Sequence, residues 1–269
     1  MKPLSVGNVV STGMRIYRDN FKNYYRLALI GSLWSWIPIY GWAKFYALQG
    51  LISRLAYDEL VEQPESNRDA QRYVNGRMWS FLGAVLLVSL RFILAYFLGA
   101  IAIALVVGIL ATLIRVALAP ILGDTVVAVV SIIIMLIALV LFFGYLIRLY
   151  ASFSVTELSL ATEEDVNASQ AIKRSRELTK GSANNLMLIF LISSLVSIPL
   201  WGLVFTVQIL PALVQNSKWV SNTTLFSIFQ FAFNTITAAL IVPFWQSIKA
   251  VIYYDLRVRR EGMGIDLRK

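Results

Sequence analysis

Side chains suited to acid-base, nucleophilic or metal chemistry are scarce in this 269-residue chain, which contains neither histidine nor cysteine. That removes imidazole relays, thiol nucleophiles, disulfides, Cys/His zinc sites and haem attachment. What remains are amides, hydroxyls, carboxylates and guanidinium groups set among long apolar runs. Thr223, Ser227, Gln230, Asn234 and Thr237 recur at steps of four, three, four and three, so they share one helical stripe. An unpaired amide in hydrocarbon is costly, and the stripe must therefore face other helices or water. It reads either as interhelical hydrogen bonding, about 0.6–2 kcal/mol per contact, or as the wall of a polar cavity with Ser193 and Ser197 of the preceding run opposite.

Arg91 interrupts another apolar stretch. A charge at the bilayer centre costs at least about 2.5–3.5 kcal/mol, and the 23 residues after Arg91 can span without it. It reads as a cation reaching to the cytoplasmic boundary, with Met78 to Leu90 lying along the surface or dipping in. The alternative is a buried cation holding an anionic substrate or a lipid phosphate. Asp58, Glu157 and Asp255 end three helical arms close to basic segments, an arrangement expected to give ion pairs between hairpins. No glycine-rich phosphate loop, metal-ligand cluster or nucleotide motif is present, so neither cofactor nor metal is expected.

The elements that position these groups follow from composition. Hydrophobic residues make up 58% of the chain and charged ones 14%, and the mean hydropathy is +0.69. A soluble domain carries about one-quarter charged residues, so this side-chain set points to a bilayer. Crossing the hydrocarbon core takes about 20 apolar residues as helix. Four charge-free runs reach that length: Phe92 to Ile114, Thr125 to Ile147, Gly181 to Ser217 and Trp219 to Ile248. A fifth, Leu27 to Ala43, is shorter and broken by Pro38 and Gly41. It predicts two short helices, Asn23 to Ile37 and Trp42 to Leu60, whose hairpin either crosses or re-enters.

The net charge of +9 is a membrane signature here, not a nucleic-acid one. With alternate connections placed on one side, 21 of the 24 Lys and Arg residues fall there together, which makes that side cytoplasmic and puts both termini in the cytosol. The expected class is an all-α polytopic bundle of about six membrane helices in a single integral domain. Its three tandem hairpins run over 8–62, 68–158 and 168–256.

Internal repeats support the hairpin division. Ile37-Pro38-Ile39-Tyr40-Gly41 returns as Ile198-Pro199-Leu200-Trp201-Gly202. Gln49 precedes Asp58 by nine residues, as Arg148 precedes Glu157 and Gln246 precedes Asp255. Each hairpin is led in by a basic amphipathic segment, Asn8 to Lys22, Arg68 to Met78 and Ala168 to Asn184, the pattern of a helix lying in the headgroup layer. Arg15, Arg18, Lys22, Lys173, Arg174, Arg176 and Lys180 there, with Arg91, are the candidate contacts to anionic lipid. Ala100, Ala104 and Gly108 offer small residues at every fourth position for close helix packing.

Ser169-Gln170-Ala171-Ile172-Lys173-Arg174-Ser175-Arg176-Glu177-Leu178-Thr179-Lys180-Gly181, leading straight into a span, resembles a segment of the membrane domain fused to some bacterial glycerophosphodiester phosphodiesterases and found in stand-alone relatives. Tyr253-Tyr254-Asp255-Leu256-Arg257-Val258-Arg259-Arg260-Glu261-Gly262 and Gly144-Tyr145-Leu146-Ile147-Arg148 resemble the same family. The resemblance implies a six-helix bacterial inner-membrane protein. It does not imply phosphodiesterase activity, because that chemistry depends on a soluble barrel and on histidines this chain lacks.

Two functions fit. One is a non-enzymatic protein that binds membrane lipids, a protein partner or a second copy of itself, and helps assemble or organise a membrane complex. The other is a transporter or permease for a lipid or small amphiphile. A carrier needs a wet cavity lined by charged or amide groups, whereas a scaffold should have a dry, tightly packed centre.

Overall fold

The structure is a computed structural model that describes residues 5–63, 65–213 and 223–262, without the side chains of 210–213 and 223. Everything described is helix and short connection: α1 (Val6–Asp19), α2 (Phe21–Trp34), α3 (Tyr40–Leu60), α4 (Asn67–Gly76), α5 (Met78–Leu122), α6 (Asp124–Phe153), α7 (Thr156–Thr162), α8 (Ala168–Thr179), α9 (Ala183–Leu213) and α10 (Thr223–Glu261). The chain is all-α, and four of its helices are long and apolar enough to cross a membrane. They match the four charge-free runs. Large apolar side chains stand exposed along all four, Leu98 at 66%, Val140 at 71%, Phe205 at 64% and Ile228 at 60%, a surface that water does not tolerate over such an area.

The short helices begin where polar side chains satisfy their first amides. Ser5 accepts from the Asn8 N–H at 3.2 Å, and Ser66 from that of Asp69 at 3.2 Å. Asn167 and Gln170 form a reciprocal capping box at the start of α8. Arg77, just past α4, donates to the carbonyls of Leu160 at 3.0 Å and Glu163 at 2.8 Å, tying down the end of α7. Between α6 and α7 the helix breaks where the Ser154 and Thr156 hydroxyls donate to the carbonyls of Ala151 and Phe153.

The apolar faces of α1, α4 and α8 are covered in part by protein: Val9, Val10, Ile16, Ala70, Val74, Ala171, Ile172 and Leu178 are buried, while Met14 and Phe21 of the first segment are exposed at 36% and 42%. Amphipathic periodicity reports an apolar face and leaves open what covers it. Met78 to Leu90 is no separate surface helix but the first quarter of continuous α5, anchored by buried Phe81, Leu82 and Ala84.

The core gathers around the second half of α10, where Ile248, Ala250, Val251, Ile252, Tyr253 and Leu256 are almost fully buried. Helices α1, α2 and α3 pack on it. Gly13 of α1 lies so close to α10 that a Cβ there would stand 2.5 Å from Ile248 Cδ1 and 3.2 Å from Ile248 Cα. Within the long elements, α5 packs on α6 and α9 on α10. Helix α3 runs parallel to α10, which sets Gln49 beside Gln246 and Tyr57 beside Tyr253, with ring centroids 5.4 Å apart.

The first hairpin turns within residues 35–39. Gly41 is required there, because a Cβ would fall 2.0 Å from the Trp34 carbonyl oxygen, and Ile39 takes a left-handed φ of 63°. Ile198-Pro199-Leu200-Trp201-Gly202, the other copy of this sequence, stays helical inside α9. Trp36 at the hairpin tip rests on Phe231 at 4.5 Å between centroids, eight residues after the start of α10, so α2 and α3 reach only part of the way along their long neighbours. Of the small-residue series, Ala104 and Gly108 are exposed and a Cβ on Gly108 would touch nothing; Gly99 instead makes the close approach, against Phe142.

Candidate functional site

A chain of polar side chains crosses the middle of the core. Gln246 donates through Nε2 to Gln49 Oε1 at 2.7 Å, and its own Oε1 accepts from the Ser53 hydroxyl at 2.9 Å. Ser53 Oγ also lies 3.5 Å from Glu157 Oε1, which accepts from Lys249 Nζ at 2.8 Å. Ser53 is fully buried and Gln246 nearly so. The Lys249 and Glu157 side chains are 14% and 15% exposed. Helices α3, α7 and α10 thus supply one connected network, and its charged pair joins α7 to α10.

Two cavities adjoin this network and share Gln49, Tyr150 and Lys249 as lining. The smaller, about 260 Å³, lies among α3, α5, α6 and α7, with Phe81, Val85, Phe153 and Glu157 in its walls. The larger, about 300 Å³, extends between α9 and α10 past Trp201, Asn234, Thr237 and Trp245. Mostly apolar walls carrying a few convergent polar groups are the signature of a small-molecule site. A head group placed between the cavities would meet a cation, a carboxylate, an amide and a phenol. Its apolar portion would lie against tryptophan, valine and phenylalanine.

The structure divides the predicted stripe. Asn234 and Thr237 line the larger cavity, and Gln208 Nε2 donates to Asn234 Oδ1 at 3.4 Å. The Thr237 hydroxyl donates to the Phe233 carbonyl of its own helix at 2.8 Å. Gln230 is half-buried and Ser227 is exposed, while the Thr223 side chain lies outside the described residues. Ser193 and Ser197 are buried in α9 but line neither cavity; Ser197 Oγ donates to the Ser194 carbonyl at 2.9 Å.

Of the three acids, Glu157 reaches across to Lys249. Asp255 Oδ2 lies 2.7 Å from Arg259 Nη2, one turn on in the same helix. Asp58 Oδ2 is buried without a hydrogen bond and lies 3.9 Å from Arg54, whose guanidinium is 2.6 Å from Glu65. Burial pushes the Asp58 carboxyl up to about 6, against the partial opposition of Arg54. The folded protein therefore holds this proton more tightly than the unfolded chain does, so this group's contribution to stability falls as pH rises from about 4 to about 6 and is flat above. Asp58→Asn is expected to remove that slope and raise stability at neutral pH by about 1–3 kcal/mol. Thermal unfolding from pH 4 to 8 checks it, and an unchanged slope in the variant would refute it.

The basic candidates also separate. Arg15, Arg18, Lys22, Lys173, Arg176 and Lys180 are exposed, with Arg18 beside Asp19 at 3.2 Å. Arg174 turns inward, 3.1 Å from Glu163 and in contact with Glu261. Arg91 is half-buried, with Nη1 sealed from solvent and without a hydrogen-bond partner.

Lys249, Glu157 and Tyr150 were not legible as one site. Lys249 sits at the end of a charge-free run and counts naturally among the basic residues outside the membrane. The one available signal was the nine-residue spacing shared by Gln49–Asp58 and Gln246–Asp255, because matching positions on parallel helices can face each other. No family model matches the chain, and neither does any curated protein or solved structure.

Proposed function

We propose that this chain is a non-enzymatic integral membrane protein that binds a lipid or small amphiphile in the paired cavities around Lys249, Glu157, Gln49 and Tyr150. The observation that carries the reading is the juncture itself: two mostly apolar cavities meeting at a charged and amide-lined centre. A scaffold for protein partners calls for a dry centre instead. The pair of opposite charges favours a zwitterionic or uncharged hydrogen-bonding head, since a head with net charge would meet its like in either Lys249 or Glu157. The likeness of Ser169–Gly181 and Tyr253–Gly262 to the phosphodiesterase-associated membrane domain agrees with a polytopic role without hydrolytic chemistry.

In this reading the three hairpins place both termini in the cytosol of a bacterium, and the first hairpin re-enters instead of crossing, consistent with its tip reaching only Phe231. The chain has no cysteine, so single cysteines report sidedness directly. Asp124→Cys, at the exposed start of α6, is expected to react with an impermeant maleimide from outside intact cells. Lys22→Cys and Glu164→Cys are expected to react only after permeabilisation. Labelling of either from outside would invert or break the topology.

Binding is tested on the purified full chain with monoacyl phosphatidylethanolamine, a single-chain zwitterionic amphiphile. Trp201 and Trp245 line the larger cavity, so saturable ligand entry is expected to shift tryptophan emission. Gln49→Leu, which removes one shared hydrogen-bonding wall, should weaken binding about tenfold. A linear, unsaturable response equal in the two proteins would show partition into the detergent belt and end the proposal.

A further inference from the structure

Arg91 of α5 and Arg176 of α8 approach the same buried aromatic ring. Their guanidinium carbons lie 5.9 Å and 5.8 Å from the centroid of Phe153, itself 6% exposed. Each lies within cation–π range of that ring, and an aromatic face meets only part of a guanidinium's demand for a counter-charge. Among the described residues neither guanidinium is in an ion pair, in contrast to Arg54, Arg174, Arg257 and Arg259. Arg91 Nη1 is buried without an acceptor, a costly state for a charged donor. Both observations point to an anion as the missing complement.

The surroundings specify which anion. Lys173 and Lys180 stand exposed with Arg176, three and four residues away on α8, and extend the positive surface. On α5, Leu87 and Leu94 lie one turn to either side of Arg91 and are exposed, at the start of the apolar length that meets the bilayer. Phosphate-binding groups next to an exposed apolar strip match the head and upper chains of a phospholipid.

We propose that Arg91, Arg176 and Phe153 form a binding site for the phosphate of an anionic glycerophospholipid, with its acyl chains along Leu87 and Leu94 and its head group toward Lys173 and Lys180. The site is distinct from the cavities around Lys249, although Phe153 also borders the smaller of them. It rests on the membrane placement of α5 and not on what those cavities hold.

The test is thermal unfolding of the full chain in mixed micelles, with phosphatidylglycerol, phosphatidylcholine or inorganic phosphate added, and native mass spectrometry to count retained lipid. Phosphatidylglycerol is expected to stabilise at the lowest fraction and to remain bound as one lipid in the mass. Arg176→Gln, at an exposed position, should keep the fold and reduce phosphatidylglycerol potency about fivefold. Arg91→Gln should do the same where it folds. Arg18→Gln removes an equal but distant exposed charge and should change potency less than about twofold. Equal losses in Arg18→Gln and Arg176→Gln would mean diffuse surface charge and overturn the site. Equal protection by phosphatidylcholine would overturn the anionic head, and equal protection by inorganic phosphate would assign a free phosphate ion and overturn the lipid. Monoacyl phosphatidylethanolamine binding unchanged in Arg176→Gln would separate any failure here from the central cavities.

Discussion

Lys249→Met is expected to destabilise the protein by about 3–5 kcal/mol, because it strands the Glu157 carboxylate in a site only 15% exposed. With the lysine gone, Glu157 keeps among the described residues only the distant Ser53 hydroxyl at 3.5 Å. The loss measures the orphaned charge and not the worth of the pair, so the double variant Lys249→Met/Glu157→Leu should recover most of it. Comparing the two singles and the double isolates the coupling. The measurement is the detergent-solubilised unfolding midpoint. If Lys249→Met cost under about 1 kcal/mol, the pair would be behaving as an exposed one and the buried centre would be misplaced. The double variant also separates structure from recognition: it should fold, yet bind the zwitterionic amphiphile poorly, since both charges facing the head group are gone.

A comparable effect is expected at Gly50. A Cβ there would stand 2.4 Å from Phe81 Cε1 and 2.7 Å from Cζ, so the buried Phe81 ring must shift toward the cavity it lines. Gly50→Ala should therefore cost about 1–3 kcal/mol by overpacking, and Gly50→Leu more. Phe81→Ala alone should cost about 3–5 kcal/mol through the space it leaves. Gly50→Leu/Phe81→Ala should be more stable than the sum of its singles predicts, because the new side chain occupies the vacated ring position. Strict additivity would show that the two positions do not touch. Phe81 also lines the smaller cavity, so Phe81→Ala is expected to admit a bulkier amphiphile than the parent does.

Some element boundaries were legible because they are set by local chemistry. The first hairpin, expected as Asn23–Ile37 and Trp42–Leu60, occurs as Phe21–Trp34 and Tyr40–Leu60, since proline and glycine punctuate it. The four charge-free runs fall in α5, α6, α9 and α10, but charge did not mark where those helices end: α5 runs on through Arg91 and Arg115 and α10 continues past Lys249 to Glu261. Pro199 and Gly202 show where local rules end: the sequence that turns the chain at Pro38 is held helical in α9. The site was less legible. Helix α9 has apolar residues on every side and its few polar ones scattered among them, so no periodicity marks its inward face, and Ser193 and Ser197 could not be distinguished from cavity lining. Lys249 was hidden by the rule that usually places lysine outside the membrane. Its partner, Glu157, lies 92 residues earlier, and no local pattern encodes that pairing.

The seat of Gly13 against Ile248 bears on how the protein is made. Helix α1 meets α10 only once the chain has been translated from Gly13 through Ile248, 235 residues on. Until then Val9, Val10 and Ile16 have no α10 to cover them and are open to proteases and chaperones. Closure of this contact thus waits on synthesis as far as residue 248, and a nascent chain released before it leaves α1 unclasped.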